Sequence, residues 1–232
     1  MLFIWETSHV LDAKLANSQR APMILIGQYD SPYVRRVAIA LTLYGFVFEH
    51  RPWSTFGNAD LIAPLNPLRR VPTLVLDDGS VILESAYMLD WADETRGEAR
   101  GLISPSGAER QKALYYIALA TGFSDKAIAL FYEKVLHTER SDVWFNRCMT
   151  QIGAVLDTLE GIRANAKTAW LLGETIGHAD IALGCALRHA YEAHANDIDW
   201  SRWPALQAHS RACEALPIFE SISQPFRGPA DS

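Results

Sequence analysis

The chain has 232 residues, 49% of them hydrophobic and 21% charged, an ordinary globular balance with room for one large domain or two small ones. Lys+Arg total 21 against 27 for Asp+Glu, a formal net charge of −6, which argues against nucleic acid as the main partner because phosphate binding draws on a basic surface. No run approaches about 18 consecutive apolar residues, so the sequence predicts no membrane-spanning helix.

Residues 1–22 do not join the pattern that follows and read as an N-terminal extension. Leu2–Trp5 is too short for a signal-peptide core and has no basic residue before it. Met23–Gly27 reads as a buried strand, followed by the turn signal Gly27–Asp30. Ser31-Pro32 then opens a helix, serine being a favoured N-cap and proline tolerated at the first helical position. Val34, Val37, Ala38 and Leu41 give it one apolar face, and Gly45 is a C-terminal stop. Phe46–His50 is a second strand, completing a β-α-β unit. Residues 51–70 read as irregular, interrupted by Pro52, Gly57, Pro64 and Pro67. Val71-Pro72 precedes a strand at Thr73–Leu76, Asp78-Gly79 signals a hairpin, and Val81–Leu83 returns antiparallel. Ser85 is a natural N-cap for a helix carrying Tyr87, Met88, Leu89 and Trp91. The order β-α-β, then β-β-α is that of a thioredoxin-like domain, placed at residues 23–98.

A linker is expected at 99–105, with Gly101 and Pro105 and no helical period, and an all-helical domain at 106–225 before a tail at 226–232. The helical runs are 109–136, broken near Thr121-Gly122, then 142–163, 176–193, and a last run from Trp203-Pro204 that Leu216–Phe219 ends. Three cysteines, Cys148, Cys185 and Cys213, all fall in this half without CxxC or zinc spacing. That odd count fits a reducing cytoplasm and buried small hydrophobes. The first 147 residues hold no thiol, so sulfur chemistry there must borrow one. The histidines form no metal-ligand pair, and no phosphate loop or Ser-His-Asp arrangement can be argued, so no metal is expected.

Ser31-Pro32-Tyr33-Val34-Arg35-Arg36-Val37, Val71-Pro72-Thr73-Leu74 and Glu84-Ser85 together resemble the glutathione transferase family, nearest its serine-type and bacterial members, over about residues 23–225. The resemblance implies glutathione as co-substrate, a homodimer, and Ser31 as the catalytic residue that stabilises the thiolate. A free thiol is only about 3% ionised at pH 7, and lowering its pKa by about 2 units raises the thiolate roughly 25-fold at a requirement of about 2.7 kcal/mol. Orphan N–H groups and the positive dipole end in a helix's first turn, with a hydroxyl donor, can contribute to that. Tyr29 is the alternative thiol activator, as in other classes of the family; Asp30, which would repel a thiolate, is expected to face solvent.

The resemblance further implies a cis Val71-Pro72 bond that turns the Val71 backbone toward the cysteinyl part of glutathione. Glu84 and Ser85 would meet the γ-glutamyl ammonium and carboxylate, and Arg70 (or Arg69) the glycyl carboxylate. Tyr115, Leu119 and Phe123 have the spacing to line an acceptor pocket between the domains. Gly177-x-x-Asp180 is similar to the family's buried capping box with glycine in place of Ser or Thr, a loss of roughly a few tenths of a kcal/mol. The reading is therefore a cytoplasmic glutathione transferase acting on small, electrophilic, apolar acceptors. Glutathione-dependent isomerisation, peroxide reduction or dehalogenation, and a glutathione-binding module without turnover, stay open beside it.

Overall fold

The computed structural model describes residues 22–228. The extension expected at 1–22 lies outside them except for Pro22, as does the tail beyond Gly228. Four strands and eight α-helices are formed among the described residues. The first domain runs β1 (Met23–Ile26), α1 (Pro32–Leu43), β2 (Phe48–Arg51), α2 (Ala59–Ile62), β3 (Thr73–Val75), β4 (Val81–Leu83) and α3 (Ser85–Arg100). Its sheet has the order β2-β1-β3-β4, with β1 parallel to β2 and the other pairs antiparallel. This is a thioredoxin-like domain. The helical domain follows as α4 (Gly107–Leu136), α5 (Asp142–Asn165), α6 (His178–Ala193), a 3-10 turn at Trp200–Arg202, α7 (Pro204–Glu214) and α8 (Pro217–Ser221).

Four elements depart from the sequence reading. Helix α2 forms inside the segment read as irregular. Helix α4 runs unbroken through Thr121-Gly122, where the Thr121 hydroxyl bonds back to the Ile117 carbonyl; glycine inside a helix costs only about 1 kcal/mol, which a 30-residue helix absorbs. Helix α3 continues to Arg100, two residues into the expected linker. Leu216 does not end the last helix: it caps the separate α8.

Helix α1 sits at the centre. Its residues Val34 to Leu41 are all buried, not one face of them. The apolar ones pack on Leu25, Leu74, Met88 and Leu89 on one side and on Ile181, Cys185 and Phe219 of the helical domain on the other. Arg35 is the strut of that second contact. Its guanidinium donates to both oxygens of Glu214 at 2.6 and 2.8 Å and to the carbonyls of Ile222 and Phe219 at 2.8 Å. A buried cation is tolerable when its donors are matched in this way. A second core, built on Phe123, Leu130, Ile152, Leu156 and Leu187, holds α4, α5 and α6 together. The cleft between the two domains lies over the N-terminus of α1.

Candidate active site

Ser31 enters this cleft because α1 must begin where β1 ends. Gly27, at φ +132°, allows the turn; a Cβ there would sit 2.5 Å from Val34 and 2.8 Å from Val71. Only glycine lets β1, α1 and the Val71-Pro72 loop close on one another. Ser31 caps α1, its hydroxyl oxygen accepting from the Val34 N–H at 3.4 Å. The hydroxyl proton is left for another acceptor.

Two cavities adjoin at this point. One, of about 490 Å³, is lined by Asp30, Ser31, Tyr33, Val71, Ile128, Phe131, Tyr132, His189, Phe226 and Arg227, among others. The second, of about 320 Å³, is lined by Arg36, Asn66, Pro72, Glu84, Ser85 and Thr121. Tyr33, Arg70, Val71 and Asp125 border both. One continuous cleft thus collects Ser31, Val71, Pro72, Glu84, Ser85 and Arg70. The Val71-Pro72 bond is cis.

The local geometry revises several roles. Ser85 is the first residue of α3 and not its cap; Glu84 holds the cap position at φ +63°, a left-handed conformation uncommon outside glycine. The Ser85 hydroxyl accepts from Arg36 Nε at 3.1 Å and Nη2 at 2.7 Å. Arg70 pairs with Glu84 at 3.4 Å, both half-exposed, so each charge is accessible for exchange with a ligand's. Arg69 pairs with the exposed Asp60 at 3.1 Å.

Tyr29 borders neither of the two cavities. Its ring stacks on His50 at a centroid distance of 3.8 Å, and burial pushes its phenol up to about 12. Asp30 does not face open solvent as expected: its carboxylate accepts the Arg227 N–H at 3.0 Å, and burial raises its pKa.

The acceptor-pocket residues expected on α4 are corrected. Tyr115 is exposed, Leu119 packs on the helical core, and Phe123 is wholly buried in it. The same helix reaches the cleft further along, through Asp125, Ile128, Phe131 and Tyr132. Arg36, Tyr33 and Asp125 were also missed. Tyr33 donates its hydroxyl to Asp125, and burial raises that phenol's pKa. Arg36 is buried, its pKa is lowered by desolvation, and its Nη1 has no partner. A second arginine inside an otherwise apolar helix was the available signal. Among the described residues no cluster of three or more His, Cys, Asp or Glu is placed to hold a metal, and no helix is long and apolar enough to cross a membrane.

Two family models match the chain: the glutathione S-transferase N-terminal domain over residues 25–100 and its C-terminal domain over 142–212. The fold superposes with a TM-score of 0.82 on a glutathione S-transferase of Methylobacterium radiotolerans JCM 2831 in complex with glutathione sulfonate, at 27% identity over 90% of this chain and 97% of that one. A probable maleylacetoacetate isomerase of Vibrio cholerae is 29% identical over 85% of this chain and 93% of its own length. The probable glutathione S-transferase parA of Nicotiana tabacum is 24% identical over 88% and 91%.

Proposed function

Because the chain belongs to the glutathione S-transferase family, we propose that it conjugates the glutathione thiolate to small, electrophilic, mostly apolar acceptors. The observation that carries this reading is the convergence of Ser31, Val71, Pro72, Glu84 and Ser85 on one cleft. In it, Ser31 donates its hydroxyl proton to the bound thiolate while its oxygen keeps the cap of α1. The Val71 backbone pairs with the cysteinyl unit. Ser85 and Arg36 receive the γ-glutamyl carboxylate, Glu84 and Asp125 its ammonium, and Arg70 serves the glycyl carboxylate. The thiol proton goes to solvent; sulfur forms its bond to an electrophilic carbon, and the displaced electron pair leaves with the leaving group or is protonated by water.

The reading extends to a cytoplasmic homodimer, supported by three buried free cysteines and by exposed Tyr87, Leu114 and Tyr115 along α3 and α4; sedimentation tests the pairing. A second reading, glutathione-dependent isomerisation, is favoured by the Vibrio cholerae relative. Calorimetric titration with glutathione, then turnover of aryl halides against cis-alkene diacids, separates them. Glutathione binding with aryl turnover supports the transferase, isomerisation alone supports the second reading, binding without turnover a module, and no binding overturns all three.

A further inference from the structure

Residues 223–228 leave α8 and run back across the loop that leads into Ser31. The Tyr29 N–H donates to Gln224 Oε1 at 2.8 Å, and the Arg227 N–H donates to Asp30 Oδ2 at 3.0 Å. The two residues immediately before Ser31 are therefore each tied to the C-terminal segment, 195 and 197 positions away. From the other side, the Asp30 carbonyl accepts from His189 Nδ1 at 3.1 Å. That bond fixes the tautomer, because a carbonyl requires a donor. Burial keeps the imidazole neutral, its pKa drawn down to about 4, and Nε2 has no partner.

Between the two ties stands Phe226, half-buried. Its ring meets Phe131 edge-to-face at 5.0 Å and His189 at 5.3 Å. Phe131 in turn meets Tyr132 at 5.9 Å, and Tyr132 meets Phe56 at 5.6 Å. Five rings from four separate parts of the chain thus form a continuous aromatic row along the 490 Å³ cavity. Such a row presents both edges and faces to a planar guest, the geometries aromatic pairs prefer.

We infer that Phe226 and Arg227, held in place by the ties of the C-terminal segment, are a built wall of the acceptor subsite, with Phe226 selecting flat aromatic acceptors and the Arg227–Asp30 tie acting as a positioning contact for Ser31. This rests on the transferase reading of the cleft. Phe226 completes the row, and without it the cavity loses its end at His189. The tie acts through the backbone of Asp30, which sets where the Ser31 hydroxyl stands.

Titration calorimetry with glutathione and with S-(2,4-dinitrophenyl)glutathione tests the wall. Wild type binds the aryl conjugate tighter than glutathione. Phe226→Ala loses about 10-fold in affinity for the conjugate, and its affinity for glutathione stays within 2-fold. An equal change for both ligands, or no change, overturns the wall. A wild type that binds neither overturns the transferase reading itself. The tie is tested by the thiolate absorbance of bound glutathione against pH. Arg227→Pro, which removes the N–H, raises the bound-thiol pKa relative to Arg227→Ala, which keeps it. Asp30→Ala does the same relative to Asp30→Asn, which retains an acceptor oxygen without charge. Identical titrations within both pairs overturn the positioning role.

Discussion

The guanidinium of Arg36 and the hydroxyl of Ser85 are joined by two hydrogen bonds, of 3.1 and 2.7 Å, across the bottom of the smaller cavity. The oxygen that accepts both still has its own proton to give, and Arg36 Nη1 is buried without an acceptor. The pair thus keeps donor capacity that the protein's own groups do not use. Removing the hydroxyl leaves a buried cation with further unmatched donors, and hydrogen bonds to charged groups are worth about 1.5–3 kcal/mol. Ser85→Ala is expected to lower stability by about 2 kcal/mol in urea denaturation, and to weaken glutathione binding at least about 10-fold. Ser85→Thr restores both. Unchanged glutathione affinity in the alanine variant would reduce the pair to scaffolding.

Why this pair was hidden while its neighbours were legible is a matter of what each signal measures. Glycine, proline and hairpin signals mark chain direction, so the β-α-β and β-β-α order could be read from Gly27, Ser31-Pro32 and Asp78-Gly79. Apolar spacing marks one buried face, and α1 has no exposed one, so that spacing carries no signal for the buried Arg35 and Arg36. On α4 spacing alone points to Tyr115, Leu119 and Phe123. Which turn of a 30-residue helix meets the cleft is set by how α4 packs on α5 and α6. Phe226 and Arg227 carry no local pattern, because the ring's partners are Phe131 and His189 and the Arg227 N–H is held by Asp30, 197 positions away.

Ser31 and Tyr29 make opposite predictions for thiol activation. Ser31→Ala removes a donor and also a cap worth about 1 kcal/mol, so stability falls by that amount. The separate effect is on bound glutathione. Its thiol pKa returns toward about 8.5, and turnover at pH 6.5 falls at least about 10-fold with the thiolate fraction. Tyr29→Phe changes neither, since Tyr29 borders neither cavity. The thiolate absorbance of the bound tripeptide, followed against pH in both variants, reverses the assignment if only Tyr29→Phe shifts it.

Two buried histidines set an acid limit on the fold. Burial draws His189 and His209 down to about 4 from an ordinary 6.5. Below the unfolded value the unfolded chain takes up protons that the folded one refuses, so stability is lost as pH falls from 6.5 toward 4. The loss is on the order of 3 kcal/mol per histidine at the lower end. His209 lies among Asp180, with its carbonyl at 3.5 Å, Cys213 at 3.6 Å and Trp170. Urea denaturation of wild type and His209→Gln at pH 7 and pH 4.5 should show the wild type losing ground to the variant at the lower pH. Asp30 acts with the opposite sign. Burial raises its pKa, so protonation favours the folded state on the way down, and Asp30→Asn forfeits that gain. A constant difference between wild type and His209→Gln would mean the ring is protonated in the folded state.

Gly177 caps α6 where a serine or threonine side chain would ordinarily serve better. Sequence alone predicts that Gly177→Ser gains roughly a few tenths of a kcal/mol. The backbone of the interdomain connection argues the reverse. A Cβ on Gly177 would stand 2.8 Å from the Leu102 carbonyl oxygen, and that oxygen already accepts the His178 N–H at 2.9 Å. The Leu102 N–H is bonded to the Tyr44 hydroxyl at 3.1 Å, so the connection cannot retreat without loosening its hold on α1. Asp180 still satisfies the Gly177 N–H at 3.0 Å, which is as much of the capping box as this approach leaves room for. Gly177→Ser and Gly177→Ala are both expected to destabilise by about 1–3 kcal/mol, the range for forcing atoms into a filled space. The two should lose similar amounts, because the Cβ and not the hydroxyl is responsible. Urea denaturation of the three proteins decides it: a serine variant as stable as wild type would show that the connection yields.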